Sequence, residues 1–277
     1  MDLKQSPLLL SYERAYQFTN SGSTYHADNS SKNRFTIQLS RPIAVPPHAK
    51  NVMMKCLYAS IWNTSPNITV NQTFHIEKTN SATTYAITVP VGLYGVQDIQ
   101  DVLSRGLESH GLSDDYIELI PNYATQKVIF VFKDTTTVLL FDDNRYQDTS
   151  QLRTLLGFNA REVGPVSTNY GQVEGDTAAQ FNQINSFHVG TSLLNGGGIR
   201  INDNESSTAA IIPINNAPGS QILFTPFNPI SLSADHLIGN MISTVKFWIT
   251  DEKQRDVIMN EPFEILFSIT FLAKPQD

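Results

Sequence analysis

The stretch TYAITVPVGLYGVQDIQDVL, residues 84–103, joins two kinds of periodicity at a single turn. Apolar residues alternate with smaller or polar residues up to Val89, which is the period-two pattern of a half-buried strand. Pro90 and Gly92 interrupt this pattern, and the apolar residues that follow recur at helical spacing. The stretch therefore predicts a strand that passes abruptly into a helix.

The predicted helix covers VQDIQDVLSRGLESHG, residues 96–111. Its apolar residues at helical spacing are Ile99, Val102, Leu103 and Leu107. Asp98 and Asp101 lie near the positive end of the helix dipole, and Gly111 can adopt the left-handed conformation that ends a helix. A second, shorter helix is predicted in DTSQLRTLLG, residues 148–157, where Asp148 and Gln151 have capping-box spacing and Gly157 ends the apolar stripe.

The rest of the chain is typical of short strands. PFEILFSITFL, residues 262–272, is the longest alternating run. The residues predicted to line the interior are Phe263, Ile265, Phe267, Ile269 and Phe271. About ten such strands with little helix predict an all-β sandwich or barrel.

The domain organisation follows from where the periodic patterns stop. Residues 1–33 have scattered aromatic residues without a lasting period, which predicts an N-terminal arm. Residues 34–277 are predicted to form one domain, with a helical insertion at about 91–160 and long polar loops at about 159–208.

Composition excludes several function classes. The 277 residues carry a net charge of -7 with only 19 Lys and Arg, which argues against binding to nucleic acid through its phosphates. The single Cys56 lies in an apolar run, so we expect a buried thiol and assembly in a reducing intracellular compartment. No signal-peptide pattern and no apolar run long enough to span a membrane is present in the sequence.

The sequence contains no recognisable catalytic, cofactor or metal motif. The six histidines form no pair at metal-binding spacing, and the acidic pairs Asp142–Asp143 and Asp203–Glu205 lack the spacing of a calcium loop. Five Asn-x-Ser/Thr triplets are expected by chance in a chain rich in these residues; they begin at Asn29, Asn63, Asn67, Asn71 and Asn204. We therefore predict a protein that is not an enzyme and has no cofactor and no metal.

The order of elements around the opening stretch resembles one viral family. Residues 84–158 are similar to the penton base proteins of adenoviruses and to the shorter pentons of virophages and polinton-like viruses. In that family a strand ends in a Pro-x-Gly-x-Tyr turn and enters a helix, two strands follow, and a Leu-Leu-Gly helix end closes the unit. The matching residues here are Pro90, Gly92 and Tyr94, then the strands within 117–132, then Leu155, Leu156 and Gly157.

The chain also departs from the adenovirus proteins. Val91 stands where they tend to have an acidic residue, and no Arg-Gly-Asp tripeptide is present. The chain is too short for their large distal insertion, so the shorter pentons are the nearer comparison and integrin binding is not implied.

The resemblance implies a single jelly-roll capsid protein that forms homopentamers at the fivefold vertices of an icosahedral virion. Its partners would be other copies of itself, the major capsid protein, and a vertex spike or minor capsid protein. Aromatic residues outside the clearest strands are candidates for the subunit interface, because aromatic residues are enriched at interfaces. These candidates are Tyr12, Tyr16, Phe18, Trp62 and Phe227.

Two other functions remain open from the sequence. A receptor-binding or glycan-binding jelly roll would use exposed aromatic and amide side chains, and the loops at 62–73 and 165–205 supply them. An enzyme built on a β-sandwich would need a divalent metal or a convergent pair of acids.

Overall fold

The computed structural model describes residues 9–20, 24–25, 32–81, 83–141, 150–201, 206–259 and 261–274. The strands in its first half are β1 (Leu10–Thr19), β2 (Thr24–Tyr25), β3 (Arg34–Ala44), β4 (Lys50–Trp62), β5 (Gln72–Lys78), β6 (Thr84–Val89), β7 (Ile117–Asn122), β8 (Lys127–Phe132) and β9 (Thr137–Leu140). The later strands are β10 (Glu162–Val163), β11 (Gly171–Glu174), β12 (Ser186–Thr191), β13 (Thr208–Pro213), β14 (Gln221–Phe224), β15 (Leu232–Ser233), β16 (Met241–Thr250) and β17 (Glu264–Ala273). The helices are α1 (Val96–Ser109), α2 (Gln151–Leu156) and a short 3₁₀ helix (Asp235–Leu237).

The described residues divide into two compact units. The sandwich unit is formed by residues from 1–65 and 184–277, and the inserted unit is Pro66–Gln183. Each unit has its own cluster of buried apolar side chains.

The strand order of the sandwich unit defines its fold. Sheet A has the order β1–β17–β4–β14, with β15 also paired to β4, and sheet B has the order β13–β12–β16–β3–β2. If the eight main strands are counted along the chain, omitting the two-residue strands, the orders are 1-8-3-6 and 2-7-4-5. This arrangement of two antiparallel four-stranded sheets is a jelly roll. The predicted fold class, an all-β jelly roll with a small helix-containing insertion, is confirmed.

The C-terminal strand forms the middle of the sandwich core. The five residues predicted to face inward are all at most 4% exposed, and they are Phe263, Ile265, Phe267, Ile269 and Phe271. Strand β17 pairs with β1 on one side and β4 on the other, so it is an inner strand of sheet A, and its inward side chains belong to the sandwich core. The period-two pattern therefore identified the buried face correctly.

Part of the predicted N-terminal arm belongs to the sandwich. Leu10–Thr19 is strand β1 and pairs with β17 over its whole length, from Leu10 opposite Ala273 to Thr19 opposite Glu264. An edge strand has only one neighbour, and most positions of β1 are exposed, which explains why its sequence shows no clear alternation. Residues 1–8, 21–23 and 26–31 of the predicted arm lie outside the described residues.

The inserted unit contains two small sheets and both α-helices. Its sheets have the orders β10–β9–β5–β6 and β11–β8–β7. Helix α1 buries Ile99, Leu103 and Leu107, as its apolar spacing predicts, and packs against β6 and β7. Gly106 faces Ile87 of β6 so closely that a Cβ atom would collide with the isoleucine side chain. The absence of a side chain at this position allows the helix and the strand to approach each other.

The abrupt turn between β6 and α1 is fixed by two asparagines. Asn67 accepts a hydrogen bond from Tyr94 N (2.9 Å) and donates to Tyr94 O (2.8 Å) and Phe181 O (3.1 Å). The Asn71 side chain accepts a hydrogen bond from Val91 N (3.1 Å). These side chains replace backbone partners that the chain loses where the strand stops, so the turn is held in one conformation.

Both helices end as their sequences predict, but the caps at their start differ in detail. The backbone N–H of Gly95 donates to the Asp98 carboxylate (2.7 Å) at the start of α1. The start of α2 is capped by Ser150, whose hydroxyl accepts from Arg153 N (3.2 Å), while the predicted capping residue Asp148 lies outside the described residues. Gly111 and Gly157 both have left-handed backbone angles after the helices, with φ values of 74° and 80°.

The inserted unit extends beyond the predicted insertion of about 91–160. Strands β5 and β6 precede that range, and β11 follows it, yet all three belong to the same unit. The reason is that the core of the unit needs these flanking strands, since Phe74 of β5 and Ile87 of β6 are buried in it. The predicted loop region of about 159–208 contains β10, β11 and β12, and β12 is a central strand of sheet B.

Candidate interaction surfaces

Three of the five candidate interface residues lie on β1 and pack within their own unit. Tyr12 stacks on Phe271 with 5.5 Å between ring centroids, and Tyr16 is likewise half-buried against the sandwich core. Phe18 is 3% exposed and lies 5.1 Å from Phe247 by ring centroids. Phe18 is therefore a core residue with little surface for another subunit, whereas part of each tyrosine is still accessible.

The other two candidates differ sharply in exposure. Trp62, the last residue of β4, is half-buried and pairs with Gln221 of β14. Phe227 is 97% exposed, which is the highest value among the large hydrophobic side chains of the described residues. The structure does not bring the five candidates together into one site, and their role at an interface stays a prediction.

Phe227 stands on a short loop that follows the edge strand β14. Pro226 and Pro229 lie on either side of it and restrict the backbone angle φ at their positions. Leu223 and Ile230 are also exposed, at 62% and 60%. Leu223, Phe227 and Ile230, which we call the edge patch, thus present apolar side chains on a segment with restricted backbone freedom.

A cavity of about 180 Å³ lies beside the edge patch. Its walls come from both sheets and are mainly apolar; the lining residues are Cys56, Ile199, Ala209, Ala210, Ile211, Phe224, Pro226, Asn228 and Ile230. Cys56 is 5% exposed, and burial raises the pKa of its thiol to about 12 against the opposing effect of its hydrogen bond to Tyr58 O. The thiol is therefore unreactive at neutral pH, and Cys56 acts as the small buried hydrophobe that the sequence predicts.

The face of sheet A that points away from the core carries large apolar side chains among polar ones. Its side chains alternate along β17 and β4 with the buried ones and are absent from the sandwich core. Four large apolar side chains on this surface, which we call the outer face of sheet A, are Met53, Tyr58, Leu266 and Leu272. Each is only partly buried, so the surface offers accessible apolar area.

One polar side chain at the centre of this outer face is fully covered. Ser268 is 0% exposed, lies between Ala15 of β1 and Lys55 of β4, and its Oγ has no hydrogen-bond partner among the described residues. Sheet A therefore lacks, at this point, the hydrated polar surface that the outer side of a sandwich usually presents.

The corresponding face of sheet B is polar. Thr36, Gln38, Thr244 and Lys246 occupy its centre, and Thr244 Oγ1 donates to Gln38 Oε1 over 2.8 Å. Trp248 on this face lies against Gly190, where no side chain could fit beneath the indole ring. The two sheets thus differ in what they present to their surroundings.

The sequence already contained a signal for this difference. In PFEILFSITFL the positions between the core residues are Glu264, Leu266, Ser268, Thr270 and Leu272, so two of the five are leucines where a fully solvated strand face would carry polar residues. The sequence-based prediction used only the core half of this alternation and missed the other half.

The inserted unit has a polar hollow beside the turn that follows β6. The cavity measures about 390 Å³ and is lined by Pro90, Gly92, Leu93, Tyr94, Asp98, Asp101, Val102 and Arg105. The polar groups are engaged locally, because Asp98 caps α1 and Arg105 Nε donates to Asp101 O over 3.1 Å. Partial burial raises the pKa of the Tyr94 hydroxyl, and the Asp98 carboxylate adds to this effect.

A buried histidine in the sandwich unit has the surroundings of a structural residue. His188 Nδ1 lies 2.9 Å from the Gln254 amide and Nε2 lies 3.2 Å from Ser186 Oγ. Burial lowers the pKa of the imidazole, although Glu252 and Asp251 oppose this shift. The neutral ring therefore connects β12 to the turn that contains Gln254, a residue with a left-handed backbone.

The described residues contain no group of three or more His, Cys, Asp or Glu side chains that could hold a metal ion. The acidic residues Asp142, Asp143, Asp203 and Glu205, as well as His26, lie outside the described part of the chain. No helix in the described part is long and apolar enough to cross a membrane.

Comparisons with known proteins find similarity to solved structures. No family model matches the chain, and no curated protein matches it. The chain is similar to the crystal structure of the selenomethionine-labelled mavirus penton protein, with 11% sequence identity and a TM-score of 0.47. The match covers 95% of this chain and 99% of the mavirus chain. The assignment of the fold rests on the strand order of the sandwich unit.

Proposed function

We propose that this protein is a structural capsid protein that forms homopentamers at the fivefold vertices of an icosahedral virion. One observation carries the proposal: a jelly roll holds a separately cored unit that is entered through a Pro-x-Gly-x-Tyr turn into a helix. That turn and the elements after it are the features in which residues 84–158 resemble the penton family. Jelly rolls occur in viral capsid and lectin domains, so the fold by itself does not decide between the two.

A ring of identical subunits requires two different patches on each subunit, because each copy contacts one neighbour with one patch and the other neighbour with the second. A specific contact of this kind buries at least about 1,000 Å² in total. The edge patch supports the proposal, because it places an almost fully exposed Phe227 on a proline-flanked loop. Aromatic side chains of this kind often supply much of the binding energy of an interface.

The role is structural, and the protein functions without a catalytic site or a cofactor. Its location is the capsid, where the ring contacts the major capsid protein and can receive a vertex spike or a minor capsid protein. The unreactive Cys56 thiol is compatible with assembly in a reducing compartment.

A reconstruction of the virion at its fivefold vertices tests the proposal. We expect density for five copies of the chain around each vertex, with the jelly roll recognisable from its two four-stranded sheets. A glycan-binding spike would instead bind sugars on an array as the isolated protein and project outside the shell, and this result would replace the proposal.

A further inference from the structure

We propose that the cavity beside β13 and β14 is a binding site for a small, uncharged molecule that contains a single six-membered ring. We call this space of about 180 Å³ the edge cavity. Its lining residues all belong to the sandwich unit and come from β4, β13, β14 and the segments next to them. This inference goes beyond the proposed capsid role and does not depend on it.

The edge cavity lies where the two sheets of the sandwich end. Strand β13 is the last strand of sheet B, and β14 is the last strand of the main path of sheet A. Three consecutive residues of β13, Ala209–Ile211, line the cavity. Because successive side chains of a strand point to opposite faces, a cavity that contacts three in a row lies along the strand's free edge. The space is therefore at the open side of the sandwich.

Small side chains leave this space unfilled. Ala210 is paired with Val189, a core residue of β12, so Ala210 points inward. Ala209, Ala210 and Cys56 are each at most 5% exposed, whereas the next inward position of β13 carries the larger Ile212. Protein interiors contain few voids larger than a water molecule. A cavity of this volume between buried small residues is thus suited to a separate occupant.

The lining of the edge cavity favours an apolar occupant. Its walls include Ile199, Phe224 and Pro226, and the carboxamide of the exposed Asn228 lies at the end that is open to solvent. Water in such a space has few hydrogen-bond partners, and replacing poorly ordered water by an apolar group favours binding. None of the described residues that line the cavity is charged, so a charged ligand would lose its hydration without gaining a partner.

The volume of the edge cavity limits the size of the ligand. An apolar cavity of about 150 Å³ lined by leucine, isoleucine and phenylalanine holds one benzene molecule. The edge cavity, at about 180 Å³, matches one ring with a small substituent. Sites for drug-sized ligands measure about 300–1,000 Å³ and are larger than this one. A substituted single ring is consequently the class of ligand that fits in both size and polarity.

Thermal unfolding of the unmodified protein with p-cresol tests the proposal. A ligand that binds only the folded state raises Tm, and at tenfold its Kd we expect an increase of about 3 °C or more for a domain of this size. The control is 4-methylbenzoate, which has the same methyl-substituted ring but carries a negative charge. We expect no increase in Tm with this compound, because its charge would be buried without a partner.

Cys56 provides a second measurement on the same unmodified protein. It is the single cysteine of the chain and lines the edge cavity, so its modification is specific to this site. Methyl methanethiosulfonate is applied at about pH 9, where part of a buried thiol ionises, and the reaction is followed by intact mass. At tenfold its Kd, p-cresol should slow the reaction about tenfold, because only the unoccupied fraction reacts. The Kd from this protection should equal the Kd from the thermal shift.

Three variants locate the binding site. Ala210→Leu fills the edge cavity and should abolish both the increase in Tm and the protection of Cys56. Ala210→Gly, the matched change at the same position, enlarges the cavity and should retain both effects. Phe227→Ala removes a ring that is 97% exposed and is an alternative surface for stacking of the probe. We expect p-cresol to bind this variant as it binds the unsubstituted protein.

The outcomes decide the proposal independently of the capsid role. It is overturned if p-cresol neither raises Tm nor protects Cys56 in the unmodified protein, or if 4-methylbenzoate has the same effect. It is also overturned if Ala210→Leu binds p-cresol as tightly as the unsubstituted protein does, or if Phe227→Ala abolishes binding. If Ala210→Leu does not fold, the protection of Cys56 in the unmodified protein decides the question. None of these results changes the number of copies per virion, which tests the vertex role separately.

Discussion

The two units of this protein are built on opposite principles of chain connection. In the sandwich unit, β1 and β17 pair along their whole length although they come from the two ends of the chain. In the inserted unit, β5 pairs with β6 and β7 with β8, each as an antiparallel pair of consecutive strands. Local sequence signals are therefore sufficient to specify much of the inserted unit, whereas the sandwich is complete only when both chain ends are present.

The inserted unit also has a hydrogen-bonded polar cluster beside its apolar core. The inserted unit contains a polar cluster in which Asp134 accepts hydrogen bonds from Tyr116 OH (2.8 Å), Thr137 Oγ1 (2.7 Å) and Thr136 N (2.8 Å). These donors come from segments beside β7 and β9, so the carboxylate connects neighbouring strands.

Because each unit has its own core, a substitution that destabilises one unit can be distinguished from a substitution that destabilises the other.

The largest expected effect is in the sandwich core. Phe267→Asp places a carboxylate at a position that is 0% exposed, and an unpaired charge there costs several kcal/mol, comparable with the stability of a whole domain. We expect loss of soluble, cooperatively folding protein. Thr270→Asp, on the opposite face of the same strand, is the control and should remain soluble. A soluble Phe267→Asp protein with a normal thermal transition would contradict the assignment of the core face.

The next effect tests whether the cores are independent. Phe130 is 0% exposed and packs against Phe74, Phe141 and Phe158 in the inserted unit. Phe130→Ala should cost about 3–5 kcal/mol, because it leaves a cavity in that cluster. Hydrogen exchange should show lost protection in β7 and β8 while the β17 amides stay protected. Equal loss of protection in β17 would show that the two units unfold together.

A smaller effect concerns the approach of α1 to β6. Gly106→Ala introduces a methyl group that collides with Ile87, and overpacking of this kind costs about 1–3 kcal/mol. The stability of the inserted unit should fall, as measured by denaturant unfolding. Gly106→Ala should cost less stability in a protein that already carries Ile87→Ala than it costs in the unsubstituted protein, because the isoleucine side chain is then absent. Additive effects in this cycle would mean that the two residues do not interact.

The smallest effect is the pH dependence of the inserted unit. Partial burial alone would raise the pKa of Asp134, but hydrogen bonds from Thr137, Tyr116 and Thr136 lower it well below its ordinary value of 3.8. The folded-state pKa is thus below the unfolded-state value, so this stabilisation is present above about pH 4 and is lost as the pH falls through the folded-state pKa.

The measurement is the free energy of unfolding of the inserted unit between pH 7 and pH 2. Asp134→Asn should reduce both the stability at pH 7, by about 1–2 kcal/mol, and its dependence on pH in the acid range. Asp101→Asn, the same substitution at an exposed position of α1, is measured alongside as the control for the chemical change itself. If the Asp134→Asn variant shows the same dependence of unfolding free energy on pH as the unsubstituted protein, Asp134 does not cause that dependence.

The contrast between the units explains how much of the fold the sequence could predict. Helix α1, its buried face and its glycine end were predictable, because the spacing of Leu103 and Leu107 and the position of Gly111 are local properties. The two asparagines that hold the turn were not, since Asn67 and Tyr94 are brought together only by the folded unit. In the sandwich, single strands such as β17 were predictable, but the pairing of β17 with β1 depends on residues far apart in sequence.

The same reasoning applies to the candidate surfaces. Phe227 is a candidate because it is an aromatic residue outside the clearest strands, and the structure makes it the most exposed large hydrophobic side chain of the described residues. Phe18 was predicted by the same rule but lies in the core, because the edge strand β1 had not been recognised. The outer face of sheet A depends on neighbouring strands, so only the pairing of β4 with β17 reveals it.

The number of copies of this chain per virion tests the vertex role most directly. Five copies at each of twelve vertices give about 60 copies per particle, the number that closed icosahedral symmetry requires of a ring-forming vertex subunit. Quantitative mass spectrometry of purified particles, referenced to the major capsid protein, measures this number. We predict about 60 copies. Several hundred copies would identify a main shell protein, and absence from the particles would contradict the capsid role altogether.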